Sequence, residues 1–305
     1  MGVYTLLLIL GHFLADFPLQ FECINKKKSK TGKEGMYGLL IHTGFHFGVY
    51  LLFSLIYLFI TNSWSYWFPL TMIVVIVSIL HFFIDLLKKT LDTISQKSSL
   101  SMYRKSQLDV LIYLADQVIH MVAITVAVTL LTTENLNIIQ HLIEFITLDE
   151  KLSLTLPGSI ILSLIIILCN TYVSGYLISK ILLPFRPNNS YTESRKEKKV
   201  TTTNMGNQNS HDDVKIETQS IEAVIQIHDS PKNAGVLIGF SERLIIMVLI
   251  MFNSIGSIGF IIAMKALTRF KQFEDKSFAE YYLIGSLVSI LIGIVSGYMM
   301  LSIWN

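Results

Sequence analysis

The chain has 305 residues, of which 52% are hydrophobic and only 15% are charged, and its formal net charge is +2. This composition leaves too little polar surface for a soluble protein, and the small net charge gives no sign of a nucleic-acid partner. Apolar runs of about 20 residues, each long enough to cross about 30 Å of hydrocarbon, follow one another along the chain. The predicted fold class is therefore all-α, a polytopic integral membrane protein.

Eight transmembrane helices are predicted from these runs. They cover residues 2–21, 37–61, 67–90, 106–132, 156–184, 234–253, 256–272 and 278–303. The first five form a membrane domain over residues 1–184, and the last three form a second one over residues 233–305. Pro18 should end or kink the first helix just after Asp16. Residues 134–147 have apolar side chains at helical spacing and predict an amphipathic helix on the outer surface.

Residues 185–232 separate the two membrane domains and are rich in Asn, Thr, Ser, Lys and Glu. A segment of this composition buries too little apolar surface to fold alone, so we predict a largely disordered linker that is a candidate binding segment for a protein partner. The basic residues fall in alternate loops, and the opposite set of loops holds only Lys151. This asymmetry follows the positive-inside rule, which places both termini outside and the linker in the cytoplasm.

Four pairs of metal-type side chains occur in the first four spans. The members of each pair are four residues apart, so both side chains project from nearly one helix face, about 6 Å apart along the axis. Ionisable groups inside a membrane are costly and commonly mark a functional site. The eight residues are His12, Asp16, His42, His46, His81, Asp85, Asp116 and His120.

All four pairs are predicted to lie in the inner half of the membrane, where they could meet. No Lys or Arg lies deep in these spans to neutralise the carboxylates, and a divalent cation is the simplest neutraliser. Five imidazoles and three carboxylates favour a borderline metal, with zinc as the first choice and manganese or iron as alternatives. The ligand count allows one metal or two. A proton relay and a purely hydrogen-bonded network are the other interpretations.

The chain resembles the bacterial membrane family catalogued as domain of unknown function 3307 in four motifs, GHFLADFPLQ (11–20), LLIHTGFH (39–46), HFFIDLLKK (81–89) and LADQVIH (114–120). Residues 239–250 and 258–293 are similar to the C-terminal region of its longer members. The resemblance implies a multi-span protein of the bacterial inner membrane, and the family has no established activity. A broader likeness is to inner-membrane proteins labelled as metal-dependent hydrolases.

The leading functional hypothesis is a metal-dependent hydrolase of the inner leaflet that acts on a lipid or a lipid-linked substrate. A bound divalent metal would bring the pKa of a water molecule near neutrality, and Asp116 would act as the base or orient that water. Arg243 lies inside the sixth span and is a candidate for holding a phosphate or carboxylate of the substrate. An ion pair with Glu242 that fixes helix packing is the alternative for Arg243.

Other functions fit the same residues. A metal-ion transporter would also place His and Asp side chains within the membrane, but the sequence has almost no polar residues beyond the pairs toward the outer face. A non-catalytic scaffold would use the metal to hold four helices together, while the linker recruits a partner. An iron-dependent oxidase also remains open. Membrane lipids are expected partners in every case.

Overall fold

The computed structural model describes residues 2–132, 154–187, 192–196, 222–226 and 234–304. These residues belong to two compact units, one formed by Met1–Arg186 with Val236–Asn305 and the other by Pro187–Gly235. The predicted amphipathic helix at residues 134–147 lies outside the described residues.

The first unit is built from α-helices, which confirms the predicted fold class. The helices in the described part of this unit are α1 (Val3–Asp16), α2 (Glu22–Lys28), α3 (Gly32–Thr61), α4 (Trp67–Lys97), α5 (Met102–Leu131), α6 (Leu156–Ile181), α7 (Ala234–Met251), α8 (Ser257–Leu267) and α9 (Lys276–Trp304). Helix α6 contains a π-helical segment, Cys169–Val173. Short 3-10 turns lie at Trp64–Tyr66, Leu183–Phe185 and Phe270–Glu274.

Six helices in the described part of the chain are long and apolar enough to cross a membrane, namely α3, α4 with the turn before it, α5, α6, α7 and α9. The two other predicted spans correspond to shorter helices, with 14 residues in α1 and 11 in α8. At about 1.5 Å per residue, both are shorter than about 30 Å of hydrocarbon. The chain is thus a polytopic membrane protein, but the predicted count of eight spans is not confirmed.

The short helix α1 packs against three longer helices, α3, α5 and α6. Ten of its 14 residues are buried, and Leu8 and Ala15 have no exposed surface. A helix that is buried on most sides is stabilised by neighbouring helices, so its length need not match the thickness of a bilayer. Helix α1 ends at Asp16, two residues before Pro18, as the sequence predicted.

Local signals explain where several helices begin and end. The Ser101 side chain accepts a hydrogen bond from a backbone N–H in the first turn of α5 and so caps this helix. Asn62 follows the last residue of α3 with a φ of 50°, a left-handed conformation that Asn tolerates. Before α9, the carboxylate of Asp275 accepts hydrogen bonds from the hydroxyl and the backbone N–H of Ser277, and these bonds lower the pKa of Asp275.

One end of the bundle gathers the C-termini of α1, α4 and α6 with the N-termini of α3 and α5. There the Ser95 hydroxyl donates to Asp109 at 3.1 Å, and the Ser106 hydroxyl donates to the carbonyl oxygen of Lys180 at 2.7 Å. We call this the basic end, because the lysines at it include Lys28, Lys89, Lys105 and Lys180.

In the second unit, the structure describes two five-residue strands, β1 (Thr192–Lys196) and β2 (Glu222–Gln226), which pair in antiparallel fashion. Both strands fall inside the segment 185–232 that the sequence marks as a polar linker. Most of this segment lies outside the described residues, so its disorder stays a prediction.

Candidate metal centre

The eight His and Asp residues predicted from the sequence come together in one cluster between α1, α3, α4 and α5, which we call the His/Asp cluster. The spacing of four residues places both members of each pair on one helix face, and these faces converge. Imidazole rings from different helices are in contact, with ring centroids 3.8 Å apart for His46 and His81 and 4.5 Å apart for His81 and His120. The predicted convergence of these residues is therefore observed.

Asp16 is the carboxylate that three histidines share. Its Oδ1 lies 3.1 Å from Nε2 of His46 and 3.2 Å from Nε2 of His42, and its Oδ2 lies 3.4 Å from Nε2 of His12. Asp16, His42, His46 and His81 each offer one ligand atom, and these atoms all lie within 4.8 Å of one another. Asp16 is the last residue of α1, and its side chain keeps 11% of its surface exposed.

A second carboxylate, Asp85, lies on the other side of His42. Its Oδ2 is 3.3 Å from Nε2 of His42 and 3.4 Å from Nε2 of His81. His81, Asp85 and His120 form a second group of potential ligands, again with atoms within 4.8 Å of one another. His81 belongs to both groups, so the cluster has room for one metal ion or for two neighbouring ions.

The donor set fits a divalent metal. Nδ1 of His120 donates to the carbonyl oxygen of Asp116 at 2.8 Å, which leaves the lone pair on Nε2. Within the described residues, the buried Nε2 atoms of His12, His42, His81 and His120 make no hydrogen bond. Buried polar atoms without hydrogen bonds are costly, and a neutral imidazole nitrogen is a common metal ligand.

Tyr50 is a member of the site that sequence reasoning missed. Its hydroxyl lies 3.3 Å from Nδ1 of His12 and 3.4 Å from Nδ1 of His46, and its side chain is fully buried. Contacts at Nδ1 direct Nε2 of both rings toward Asp16, as hydrogen bonds behind metal ligands commonly do. Tyr50 follows His46 by four residues, and this continuation of the His42–His46 helix face is the signal that would have found it.

Two lysines reach carboxylates of the cluster. Nζ of Lys28, from α2, lies 2.6 Å from Oδ2 of Asp85, and Nζ of Lys88, from α4, lies 2.6 Å from Oδ2 of Asp116. The expectation that no basic side chain would neutralise the carboxylates was wrong, because long lysine stems extend along apolar surface from the basic end. Asp16 differs, since its ion pairs within the described residues are with histidines.

Asp116, the predicted catalytic base, lies at the edge of the cluster. Besides Lys88, its Oδ2 accepts a hydrogen bond from Nε2 of Gln117 at 3.0 Å, and its Oδ1 lies 3.6 Å from Nδ1 of His120. It belongs to neither of the two ligand groups. Its ligation of a metal and its role as a base stay predictions.

Arg243 makes its contacts with α6 and α9 and not with the His/Asp cluster. Its guanidinium group donates to the carbonyl oxygens of Asn170 at 2.6 Å and of Thr171 at 3.0 Å, both in the π-helical segment. A π-helical turn disturbs the regular backbone hydrogen bonds of a helix, and Arg243 supplies donors to these carbonyls. The carboxylate of Glu242 pairs with Lys265 at 2.7 Å, not with Arg243. These contacts favour a packing role, and anion binding by Arg243 stays a prediction.

A pair of buried hydroxyl groups lies beyond Tyr50, on the side of the cluster away from the basic end. The Ser54 hydroxyl donates to the carbonyl oxygen of Tyr50 at 2.8 Å, and the Tyr4 hydroxyl lies 2.8 Å from Oγ of Ser54. All three side chains are buried. The expectation that almost no polar group lies beyond the pairs was therefore wrong, because isolated Tyr and Ser residues do not interrupt an apolar run.

Residues 4–149 match the family model described as Protein of unknown function (DUF3307). This range contains all four His/Asp pairs, Tyr50 and both lysines of the site, and the description names no activity. Comparisons with curated proteins and with solved structures gave no match. Over residues 4–149, the chain is therefore similar to the DUF3307 family.

Proposed function

We propose that the protein is a metal-dependent hydrolase of the bacterial cytoplasmic membrane that acts on a lipid or a lipid-linked substrate. The observation that supports this proposal is the convergence of His and Asp side chains from four helices, with buried Nε2 atoms that make no hydrogen bond in the described structure. A divalent metal, with zinc as the first choice and manganese or iron as alternatives, would act there as a Lewis acid and activate a water molecule.

The two ligand groups suggest a division of roles. Asp16, His42 and His46 would hold one metal ion, and His81, Asp85 and His120 would hold a second, because three protein ligands leave a coordination position open for water. Asp116 stands outside both groups, which suits a residue that orients or deprotonates water rather than one that binds the metal. Tyr50 would fix the ring of the ligand His46, and that of the neighbouring His12, from behind.

Two observations support a lipid substrate at the cytoplasmic side. The lysines at the basic end fit a cytoplasmic location under the positive-inside rule. Just after Asp16, the side chains of Leu19 and Phe21 are 41% and 57% exposed, and an acyl chain would contact such apolar groups. A substrate held in the membrane could then present its head group to the partly exposed side of Asp16.

Metal analysis tests the proposed centre. Wild-type protein purified in detergent should contain a divalent metal, and His42→Ala/His46→Ala should lose it, because two ligands of one group are removed and each is worth more than about 10-fold in affinity. The control is His211→Ala/His228→Ala, which removes as many imidazoles from the linker and should keep the metal. Equal metal content in wild type and His42→Ala/His46→Ala would contradict the proposal.

Lipid analysis of cells that carry wild type or His42→Ala/His46→Ala tests the hydrolase activity. The variant cells should accumulate a lipid species that wild-type cells convert, while His211→Ala/His228→Ala cells should match the wild type. Identical lipid profiles in all three strains would argue against a lipid substrate even if the metal is present.

A second candidate function, metal-ion transport, is favoured by the buried hydroxyl pair of Ser54 and Tyr4 beyond the cluster. This pair offers polar groups along part of a path across the membrane. Metal uptake into liposomes that contain the purified protein separates the two functions. Transport predicts uptake that Ser54→Ala slows, whereas the hydrolase predicts no uptake above that of empty liposomes.

A further inference from the structure

Two ammonium groups approach the His/Asp cluster from different helices. Lys28 pairs with Asp85 and Lys88 pairs with Asp116, and the lysine side chains keep 17% and 26% of their surface exposed, against 2% for each carboxylate. Each lysine thus connects the buried cluster with the basic end. The two carboxylates belong to one contact network. His81 pairs with Asp85, and His120 contacts Asp116. The rings of these two histidines have centroids 4.5 Å apart.

Lys28 is held in position by the packing of α2 and differs in this from a free surface lysine. Nζ of Lys89 donates to the carbonyl oxygens of Lys28 and Lys30, at 2.8 and 2.7 Å. Glycines in α3 allow this close approach, because a Cβ atom at Gly38 would lie 2.5 Å from the backbone nitrogen of Lys28. Lys28, the last residue of α2, is therefore held next to the cluster, with its ammonium group directed at Asp85.

A bound metal would change which anions the ammonium groups of Lys28 and Lys88 neutralise. If His81, Asp85 and His120 held a divalent cation, the charge of Asp85 would be partly neutralised and its attraction for Lys28 would weaken. An ammonium group that lies close to hydrocarbon and has lost its carboxylate partner would require another anion, because an unpaired charge there is costly. A phosphate group would meet this need, because its several charged oxygen atoms can accept hydrogen bonds from more than one cation. A neutral ester or amide offers no such charge.

We infer that Lys28 and Lys88 bind the phosphate group of the substrate, which makes a phosphoester the substrate class of this protein. The inference rests on the proposed function. Hydrolysis of a phosphoester adds water across a P–O bond: the water oxygen joins phosphorus, the P–O bond to the alcohol breaks, and the alcohol oxygen takes a proton. The lysines would hold the non-bridging oxygens and so orient phosphorus at the metal.

Phosphate binding by the metal-loaded, full-length protein tests the inference. Titration with inorganic phosphate, and separately with phosphatidylcholine nanodiscs that contain phosphatidic acid, should give saturable binding to wild type. Lys28→Met/Lys88→Met should bind at least about 10-fold more weakly, since hydrogen bonds between charged groups are lost. The control is Lys33→Met/Lys97→Met, which removes the same charge from exposed positions at the ends of α3 and α4 and should bind like wild type.

The metal content of each protein is measured first and separates the two proposals. Lys28→Met/Lys88→Met should keep its metal, because both carboxylates stay in place, and each single variant should show intermediate phosphate affinity. Metal-loaded wild type that binds neither probe, or a double variant that binds phosphate as wild type does, would overturn the inference and leave the metal centre standing. Wild type without metal would overturn both.

Binding of both probes supports a phosphate group from either source, and binding of the nanodiscs alone identifies a lipid phosphate.

Discussion

The imidazole rings of the His/Asp cluster are oriented by hydrogen-bonding groups that lie behind them. Tyr50 contacts Nδ1 of His12 and of His46, and a backbone carbonyl accepts from Nδ1 of His120. These contacts leave Nε2 of each ring for the centre of the cluster. Ligands that are already oriented lose less freedom when a metal binds, so the partners at Nδ1 should contribute to metal affinity.

Substitution of Tyr50 by Phe tests this contribution. Phe keeps the ring in the core but removes the hydroxyl, so metal affinity should fall by about 10- to 100-fold while the helix content stays unchanged. Competition with a chelator of known affinity, together with circular dichroism, measures both quantities. Tyr37→Phe is the matched control, because Tyr37 lies on the same helix and is 60% exposed. A metal affinity equal to that of wild type in Tyr50→Phe would show that the hydroxyl does not support the ligands.

The eight residues of the cluster could be predicted because a spacing of four residues in an apolar helix determines their common face. The contacts of Lys28 and Lys88 could not be predicted in the same way. Lys28 reaches Asp85, which lies 57 residues later in the chain, only because α2 folds back onto α3. Sequence periodicity predicts which residues share a face of one helix, whereas a contact such as this one depends on how several helices pack together.

Most helices were predicted near their observed positions, but the ends of α3 and α4 at the basic end were not. The predicted span 67–90 corresponds to a helix that continues to Lys97, and the span 37–61 to one that begins at Gly32. Hydropathy detects the apolar part of a helix, and α3 and α4 extend beyond it with polar turns at the basic end. The short helix α2 was missed, because its seven residues, Glu22–Lys28, form no apolar run.

The contact between α2 and α3 depends on a glycine without a side chain. A Cβ atom at Gly38 would lie 2.5 Å from the backbone nitrogen of Lys28, so Gly38→Ala should displace α2 and destabilise the protein by about 1–3 kcal/mol. On the same helix, a Cβ atom at Gly44 meets no atom of the described structure within 4 Å, and Gly44→Ala should be neutral or stabilising by up to about 1 kcal/mol. Thermal unfolding in detergent compares the two variants. A Tm for Gly38→Ala at or above that of Gly44→Ala would refute this packing.

The two membrane domains that the sequence places on either side of the linker pack into one compact unit. Nε1 of Trp304, in α9, donates to Oγ of Ser163, in α6, at 2.8 Å, and Arg243 joins α7 to the π-helical segment of α6. An apolar cluster from the same three helices surrounds these hydrogen bonds and contains Ile166, Met247, Met300 and Ile303. The covalent connection through the linker is thus not the only link between the two parts.

Cleavage of the linker tests whether these contacts suffice to hold the molecule together. A specific protease site inserted near residue 208, in the polar segment, allows the purified protein to be cut in mild detergent. The two fragments should elute together in size-exclusion chromatography, because separation would expose the apolar contacts between α6, α7 and α9 and leave buried hydrogen-bonding groups without partners.

The hydrogen bonds of Arg243 should strengthen the association of the two cut fragments. Arg243→Met removes the charged donors to the carbonyl oxygens of Asn170 and Thr171, and a hydrogen bond from a charged group contributes about 1.5–3 kcal/mol. The cut variant should therefore dissociate at a lower detergent concentration than cut wild type. Lys276→Met is the control, because its side chain is 89% exposed and lies outside this interface. If cut wild type separates at once, or if Arg243→Met and Lys276→Met dissociate alike, then the guanidinium group does not join the two parts of the molecule.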